Sequence, residues 1–412
     1  MFNRTSTPRA RDGSDSGSPR RLTFVYKHVH DMPIHLDLYA PDLTNTSSRD
    51  NEVVVPAVVW FHGGGLTVGD RQSWFPHWLE ERVTSAGIAF ITADYRLMPP
   101  ASGHEVIEDI QDLFTFLASE MNTLLLSRVS GKPSLSCHFD FAINPNALAV
   151  AGCSAGGLCA YLAAIHAHPK PKALIALYAM GGNFLIPHYY MPKSEVFFRG
   201  RELLDPDLFA EFLHPRCTTL QDTSGSPLAY HSADAPIPGY PANPRMLLAR
   251  LYLQLGTWLD YYTGTHDVSI ALRNTASLTG DSSYGSVSEK PDSSDVLHKN
   301  SLLKNAVLSD EHLPLFPQFN VTTSWPPCLV IHGAQDTAVL VQESYHMAHL
   351  LERTQVDATL RVVEGREHSF DYAPGAYEVF GGSGGLFDEV RDFIVRHILP
   401  ASNQGATEGA SM

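Results

Sequence analysis

Positive charge is scarce in this chain: 29 lysines and arginines stand against 44 aspartates and glutamates, a formal charge of −15. Nucleic acids and anionic membrane surfaces are held by basic patches that displace counterions, so neither is expected as a partner. Cysteine is sparse too. The five present (Cys137, Cys153, Cys159, Cys217 and Cys328) are odd in number and lack C-x-x-C spacing. That excludes a disulfide framework and the usual zinc-site patterns, and no metal or cofactor is expected. Histidines do recur in pairs, at His28 and His30, His166 and His168, and His346 and His349. They lack acidic or thiolate company and read as strand or helix-surface residues. Residues 1–21 contain no apolar leader segment and are rich in Arg, Ser, Gly and Pro. They read as a disordered tail, with a cytoplasmic protein behind it. Long apolar runs are missing but for one charge-free stretch, Ala147 to Ile165. Glycine and serine at its centre make it a buried strand, a turn and a helix rather than a membrane span.

What is present is the material of a large core: 44% of the 412 residues are hydrophobic and 10% aromatic. Residues 22–26 and 34–39 alternate apolar and polar side chains with period two, which predicts an antiparallel pair at a sheet edge. Short apolar runs then alternate with helical spacing. Strand-like segments lie at 53–61, 87–92, 147–151 (bounded by Asn144, Pro145 and Asn146) and 173–178, with helices at about 75–85 and 104–120. This rhythm predicts a mostly parallel sheet with helices on both faces, an α/β architecture. It stops after Gly182. From there to Trp325 the sequence offers helical patches near 206–213 and 243–262, and a polar, low-complexity stretch at 275–296. The rhythm resumes with strands at 328–331 and 358–363 and helices near 340–353 and 386–398. The expected organisation is a tail (1–21), the first part of a core (22–182), an inserted helical cap (183–325) with a mobile loop at 275–296, the second part of the core (326–400) and a flexible end (401–412). An apolar, aromatic face at 247–262 is the expected roof of a pocket, although cap-to-core packing would explain it equally well.

The chemistry centres on Gly152-Cys153-Ser154-Ala155-Gly156, a G-x-S-x-G between a buried strand and a small-residue helix. A serine on so sharp a turn needs small neighbours, and the turn lifts its hydroxyl out of the sheet. A nucleophilic serine further requires a base, a carboxylate to orient that base, and donors for the developing oxyanion. Asp336, just past the strand at 328–331, could be a helix N-cap, and His368, past the next strand, could be a surface residue. Their order behind Ser154, each at a strand's carboxyl end, predicts a Ser154–Asp336–His368 triad instead. His62-Gly63-Gly64-Gly65 follows the strand at 53–61, where main-chain N–H groups of Gly63 and Gly64, with that of Ala155, would hold an oxyanion.

These motifs, with Asp94-Tyr95-Arg96-Leu97, together resemble the α/β-hydrolase fold, and within it the hormone-sensitive-lipase-like esterases. The likeness covers residues 55–180 and 327–398, departing at Pro100, where that group usually has an acid. The resemblance implies a serine carboxylesterase without metal or cofactor: Ser154 attacks a small-molecule ester, His368 is base then acid, Asp336 orients it, and water resolves the acyl-enzyme. It implies a bracing role for His62, and a supporting or capping role for Glu108 and Asp109. Arylformamidase or other amide chemistry, acyl transfer on the same apparatus, and a non-catalytic ligand receptor remain open alternatives. Acyl length, alcohol, pathway and oligomeric state are not legible.

Overall fold

The computed structural model describes residues 21–44, 53–129, 141–278 and 293–399. The two expected tails, Arg21 apart, Cys137 and most of the polar loop at 275–296 lie outside them.

Among the described residues eight strands form a single sheet: β1 (Arg21–Val29), β2 (Met32–Tyr39), β3 (Val53–Phe61), β4 (Ala89–Ala93), β5 (Phe141–Cys153), β6 (Ala173–Leu177), β7 (Cys328–Gly333) and β8 (Ala358–Val363). Their order is β1-β2-β4-β3-β5-β6-β7-β8. The hairpin β1–β2 is antiparallel and β2 also runs antiparallel to β4, while every later pairing is parallel. The central strands read as unbroken apolar runs because both faces are covered. Their side chains still sort with period two. Val59 and Phe61, Val150, and Leu174 and Ala176 enter one core; Val58 and Trp60, Ala149 and Ala151, and Ile175 enter the other.

Helices α1 (His77–Ser85), α2 (Gly103–Ser119), α3 (Met121–Val129) and α4 (Ala155–His166) belong to the first half of the chain. Helix α2 starts at a capping box: the Ser102 hydroxyl accepts from the His104 N–H while Glu105 accepts from the Ser102 N–H. Residues 155–164 of α4 are buried without exception, which is why this helix carries no amphipathic pattern. Between β6 and β7, where no strand is described, lie α5 (Pro187–Tyr190), α6 (Arg245–Leu255), α7 (Trp258–Thr263), α8 (Val268–Leu278) and α9 (Ser293–Val307). The chain closes with α10 (Val341–Arg353), α11 (Ala376–Phe380) and α12 (Leu386–Ile398). On the second face Trp78 of α1 stacks on Phe387 of α12, 4.1 Å between ring centres.

The architecture is the expected one, with local differences. Strand β5 does not stop at the Asn144-Pro145-Asn146 segment. It runs through it, and a register irregularity against Val55 and Ala57 absorbs the interruption. Helices α3, α5, α8, α9 and α11 were not anticipated. In addition, 275–278 and 293–296, read as loop, are the end of α8 and the start of α9. Helix α9 is polar on average and holds its place by tertiary contact, with Asn300 buried against Asn183 and His346.

The segment between β6 and β7 is anchored at both ends of the site. Arg245, at the start of α6, donates to the carbonyls of Thr67, Met98 and Pro99. Glu343 of α10 accepts from the Gly181 N–H and the Tyr189 hydroxyl. Its carboxyl is fully buried, and that burial pushes it up to about 8 despite these donors.

Candidate active site

Ser154 sits between β5 and α4 with φ +55° and ψ −120°, a conformation few L-residues adopt. Two close approaches make the turn possible. A Cβ on Gly152 would lie 2.1 Å from the Gly156 carbonyl oxygen, and one on Gly156 would lie 2.0 Å from that of Phe61. The Ser154 side chain does not cap the helix that follows it, and its residue lines a cavity of about 200 Å³. His368 and Gly63 line the same cavity.

Asp336 and His368, which lie on the loops after β7 and β8, meet at 2.7 Å between Oδ2 and Nδ1. A carboxylate can only accept, so Nδ1 carries the proton and Nε2 keeps a lone pair for the cavity. The other Asp336 oxygen accepts from the N–H groups of Ala338 and Val339, each at 2.9 Å. His332 also approaches Oδ2, at 3.2 Å, while its Nε2 lies 2.9 Å from the Val339 carbonyl. Burial alone would raise the Asp336 carboxyl. The charge of His368 and the hydrogen bonds from His332 and His368 outweigh it and hold the group well below the usual carboxylate range.

Two further groups set the histidine in place, and sequence reasoning missed both. Glu367 accepts from the N–H of His368 and from the N–H and hydroxyl of Thr337, tying the His368 loop to the Asp336 loop. Its second oxygen also pairs with Arg199 at 3.1 Å. The Tyr178 ring packs edge-on to the imidazole with centres 4.6 Å apart, and its hydroxyl donates to Asp371 at 2.6 Å. Trp78 Nε1 reaches the other Asp371 oxygen at 3.3 Å. Burial pushes the Asp371 carboxyl up to about 6. Only the adjacency of Glu367 to His368 was visible in the sequence; the partners come from distant segments.

The glycine loop lies directly against the elbow: a Cβ on Gly63 would stand 3.3 Å from the Cys153 carbonyl oxygen and 3.5 Å from the Ser154 Cβ. Gly64 has φ +105°, and a Cβ there would meet the Val68 carbonyl oxygen at 2.1 Å. The N–H of Gly64 is not taken up by another backbone group among the described residues, whereas that of Gly63 faces the Cys153 thiol, a weak acceptor that an oxyanion would have to displace. The Ala155 N–H, first in α4, likewise has no backbone partner among the described residues and can meet an incoming anion. His62 braces this loop as expected. It is fully buried, stacked on Tyr95 at 4.4 Å, with Nδ1 2.8 Å from the Gly63 carbonyl and its own carbonyl accepting from the Tyr95 hydroxyl at 2.7 Å. Burial drives its pKa down to about 4, so it is neutral and unsuited to proton transfer near pH 7.

Glu108 and Asp109 do not cap α2; Ser102 and Glu105 do. Asp109 is fully buried and accepts from the N–H and Nε of Arg96, while Glu108 pairs with Arg96 Nη2 at 2.8 Å. Asp94 is held by the N–H and guanidinium of Arg71. These pairs fix the loop after β4 beside the glycine loop.

The aromatic face at 247–262 divides between two tasks. Trp258 and Tyr262 pack on Phe184, each with ring centres 5.1 Å away, and are core. The wall of the cavity is made instead by Met246, Leu247, Ala249, Arg250 and Leu253, one face of α6. Arg199, Arg201 and Arg250 line it as well, and none had been singled out in the sequence.

Comparison with known proteins agrees with the topology. A family model described as the alpha/beta hydrolase fold matches residues 58–228, and one for the prolyl oligopeptidase family matches 296–379. A protein named as a probable carboxylesterase from Phoma sp. is 28% identical over 162 residues, 39% of this chain and 47% of its own length. A non-reducing polyketide synthase from Emericella nidulans is 22% identical over 394 residues, 93% of this chain but 14% of its own. The chain thus spans about half of the first relative and about a seventh of the second. Among solved structures, an alpha/beta hydrolase superfamily protein from Enterococcus faecalis aligns with a TM-score of 0.51 at 16% identity, over 88% of this chain and 96% of that one. No helix among the described residues is long and apolar enough to cross a membrane.

Proposed function

We propose that this chain, which has the α/β-hydrolase fold, is a serine hydrolase of carboxylic esters, with Ser154, Asp336 and His368 as a catalytic triad. One observation carries the reading: the 2.7 Å contact of His368 Nδ1 with a buried, multiply hydrogen-bonded Asp336, in the cavity that Ser154 also lines. In the proposed cycle His368 Nε2 takes the Ser154 proton as Oγ attacks the ester carbonyl. The oxyanion is held by the N–H groups of Gly63, Gly64 and Ala155. Loss of one such donor ordinarily costs about 3 kcal/mol of transition-state stabilisation. Collapse of the tetrahedral intermediate breaks the ester C–O bond, and His368 returns the proton to the leaving alcohol. Water, deprotonated by the same imidazole, then attacks the acyl-serine and releases the acid. The segment between β6 and β7 serves as a cap whose helix α6 bounds the acyl or alcohol side. No step needs a metal or cofactor. The proposed substrate is a small molecule, in a chain too acidic overall to favour nucleic acid.

The experiment is a series of 4-nitrophenyl esters from two to sixteen carbons, with Ser154→Ala as control. Hydrolysis that vanishes in the variant supports the reading; equal rates in both proteins would discard the nucleophile. The prolyl oligopeptidase match over 296–379, which spans Asp336 and His368, gives an amide-cleaving reading its own support. Cleavage of formyl or acyl anilides with the esters left untouched would install that reading instead.

A further inference from the structure

Resting on the hydrolase reading, the cavity also carries a feature that ester chemistry alone does not require. Arg250 lies on the cavity face of α6 and is only 6% exposed. Among the described residues its Nε has no hydrogen-bond partner. The phenol of Tyr240 is its hydrogen-bonding neighbour, and Glu202 contributes charge from nearby without forming an ion pair. Arg201 stands close enough to oppose its charge and lines the same cavity. Among the described residues no carboxylate pairs with either arginine, whereas Arg199 is already engaged by Glu367. The chain carries 15 more acids than bases, and Arg96, the other arginine buried to this degree, pairs with Glu108 and Asp109.

A guanidinium cannot escape burial by losing its proton, so an unpaired one inside the fold is costly unless a ligand supplies the counter-charge. Its planar fork suits the two oxygens of a carboxylate or phosphate. Beside it Met246, Leu247 and Leu253 offer an apolar wall on the same helix. We infer that the cavity is built for an anionic ester: an apolar carbon skeleton bearing a carboxylate or phosphate that Arg250, assisted by Arg201, binds while the ester carbonyl lies over Ser154. Arg250 is then a specificity-determining residue rather than a participant in bond making.

The test compares matched pairs on the full chain. For a carboxylate on the acyl side, mono-4-nitrophenyl glutarate is set against 4-nitrophenyl butyrate. For a phosphate on the alcohol side, 4-(butanoyloxy)phenyl phosphate is set against phenyl butanoate. Charge-assisted hydrogen bonds of this kind discriminate by about ten- to a hundredfold, so one anionic member should exceed its neutral partner in kcat/KM by that ratio. In Arg250→Met the ratio should fall to within about threefold of unity, and in Arg250→Lys it should partly recover. The two pairs tell which side bears the charge. Thermal melting gives a readout independent of turnover: exchanging an uncompensated buried cation for an apolar group of similar size should leave Tm equal or higher. No anionic preference in the parent, the same preference in Arg250→Met, or a Tm drop of several degrees in that variant would each overturn the inference. Calorimetric binding of the glutarate monoester to Ser154→Ala separates this claim from the one beneath it. Binding that depends on Arg250, in a protein whose parent form hydrolyses no ester, would sink the hydrolase reading and leave the anion site standing.

Discussion

Replacing Asp336 by Asn changes one atom in a group that serves four donors, and its effect can be worked through from the geometry. Oδ1 accepts from the Ala338 and Val339 N–H groups, and Oδ2 from His368 and His332. An asparagine must point its NH₂ at one of these pairs. Turning it to the backbone side would strand two buried N–H groups, each at about 1–3 kcal/mol. The amide oxygen therefore keeps the backbone pair, and the NH₂ faces the imidazoles. His368 Nδ1 must then accept instead of donate, which moves its proton to Nε2, the atom that should receive the Ser154 proton. With the base in the wrong tautomer, kcat should fall by about 10⁴, as in serine hydrolases built on such a pair, or about 5.4 kcal/mol in barrier. KM should change little. His332 also meets the new NH₂, and a net cost of about 1 kcal/mol corresponds to a Tm only about 1 °C lower in a chain this long. The assay is steady-state hydrolysis of 4-nitrophenyl butyrate beside a thermal melt. Less than a tenfold loss of kcat in a variant that melts near the parent temperature would refute the reasoning.

Two other substitutions probe the scaffold. Gly156→Ala should unseat the elbow, because its Cβ would fall 2.0 Å from the Phe61 carbonyl oxygen and 2.6 Å from that of His62. A urea titration should show it destabilised by about 3 kcal/mol, with activity lost, whereas an unchanged midpoint would contradict the packing described. Glu343 has its folded pKa raised by burial from 4.5 to about 8. The folded state therefore binds the extra proton between those values, and this group's contribution to stability falls as pH climbs through that window. Glu343→Gln should flatten the decline of Tm between pH 5 and 9, and an identical slope in parent and variant would count against it.

How much of this could be read beforehand follows from the range of each interaction. Strands and helices were legible where burial wrote a local pattern, as at residues 53–61 and 104–120. The turn at Ser154 was legible because its constraints fall on adjacent glycines. Asp336 and His368 were legible by position: each follows a buried strand, and parallel neighbours β7 and β8 bring those loops together. Glu367, Tyr178 and Asp371 were not, since their roles arise from contacts across Thr337, His368 and Trp78 that no spacing encodes. The continuation of β5 through Pro145 was hidden for a different reason. A proline ordinarily ends a strand, and only the irregular register against β3 accommodates it. Arg250 was not singled out, because nothing in the spacing of residues 243–262 shows that its face of α6 turns toward the cavity.

The central claim, that Ser154 is the nucleophile, is tested most directly by trapping it. A fluorophosphonate ester, which phosphonylates an activated serine with loss of fluoride, should abolish esterase activity with a stoichiometry of one. Mass spectrometry of the digest should place the adduct on the peptide containing Ser154, and Ser154→Ala should neither be labelled nor hydrolyse the ester. An adduct on a different residue, or a Ser154→Ala protein as active as the parent, would contradict the account.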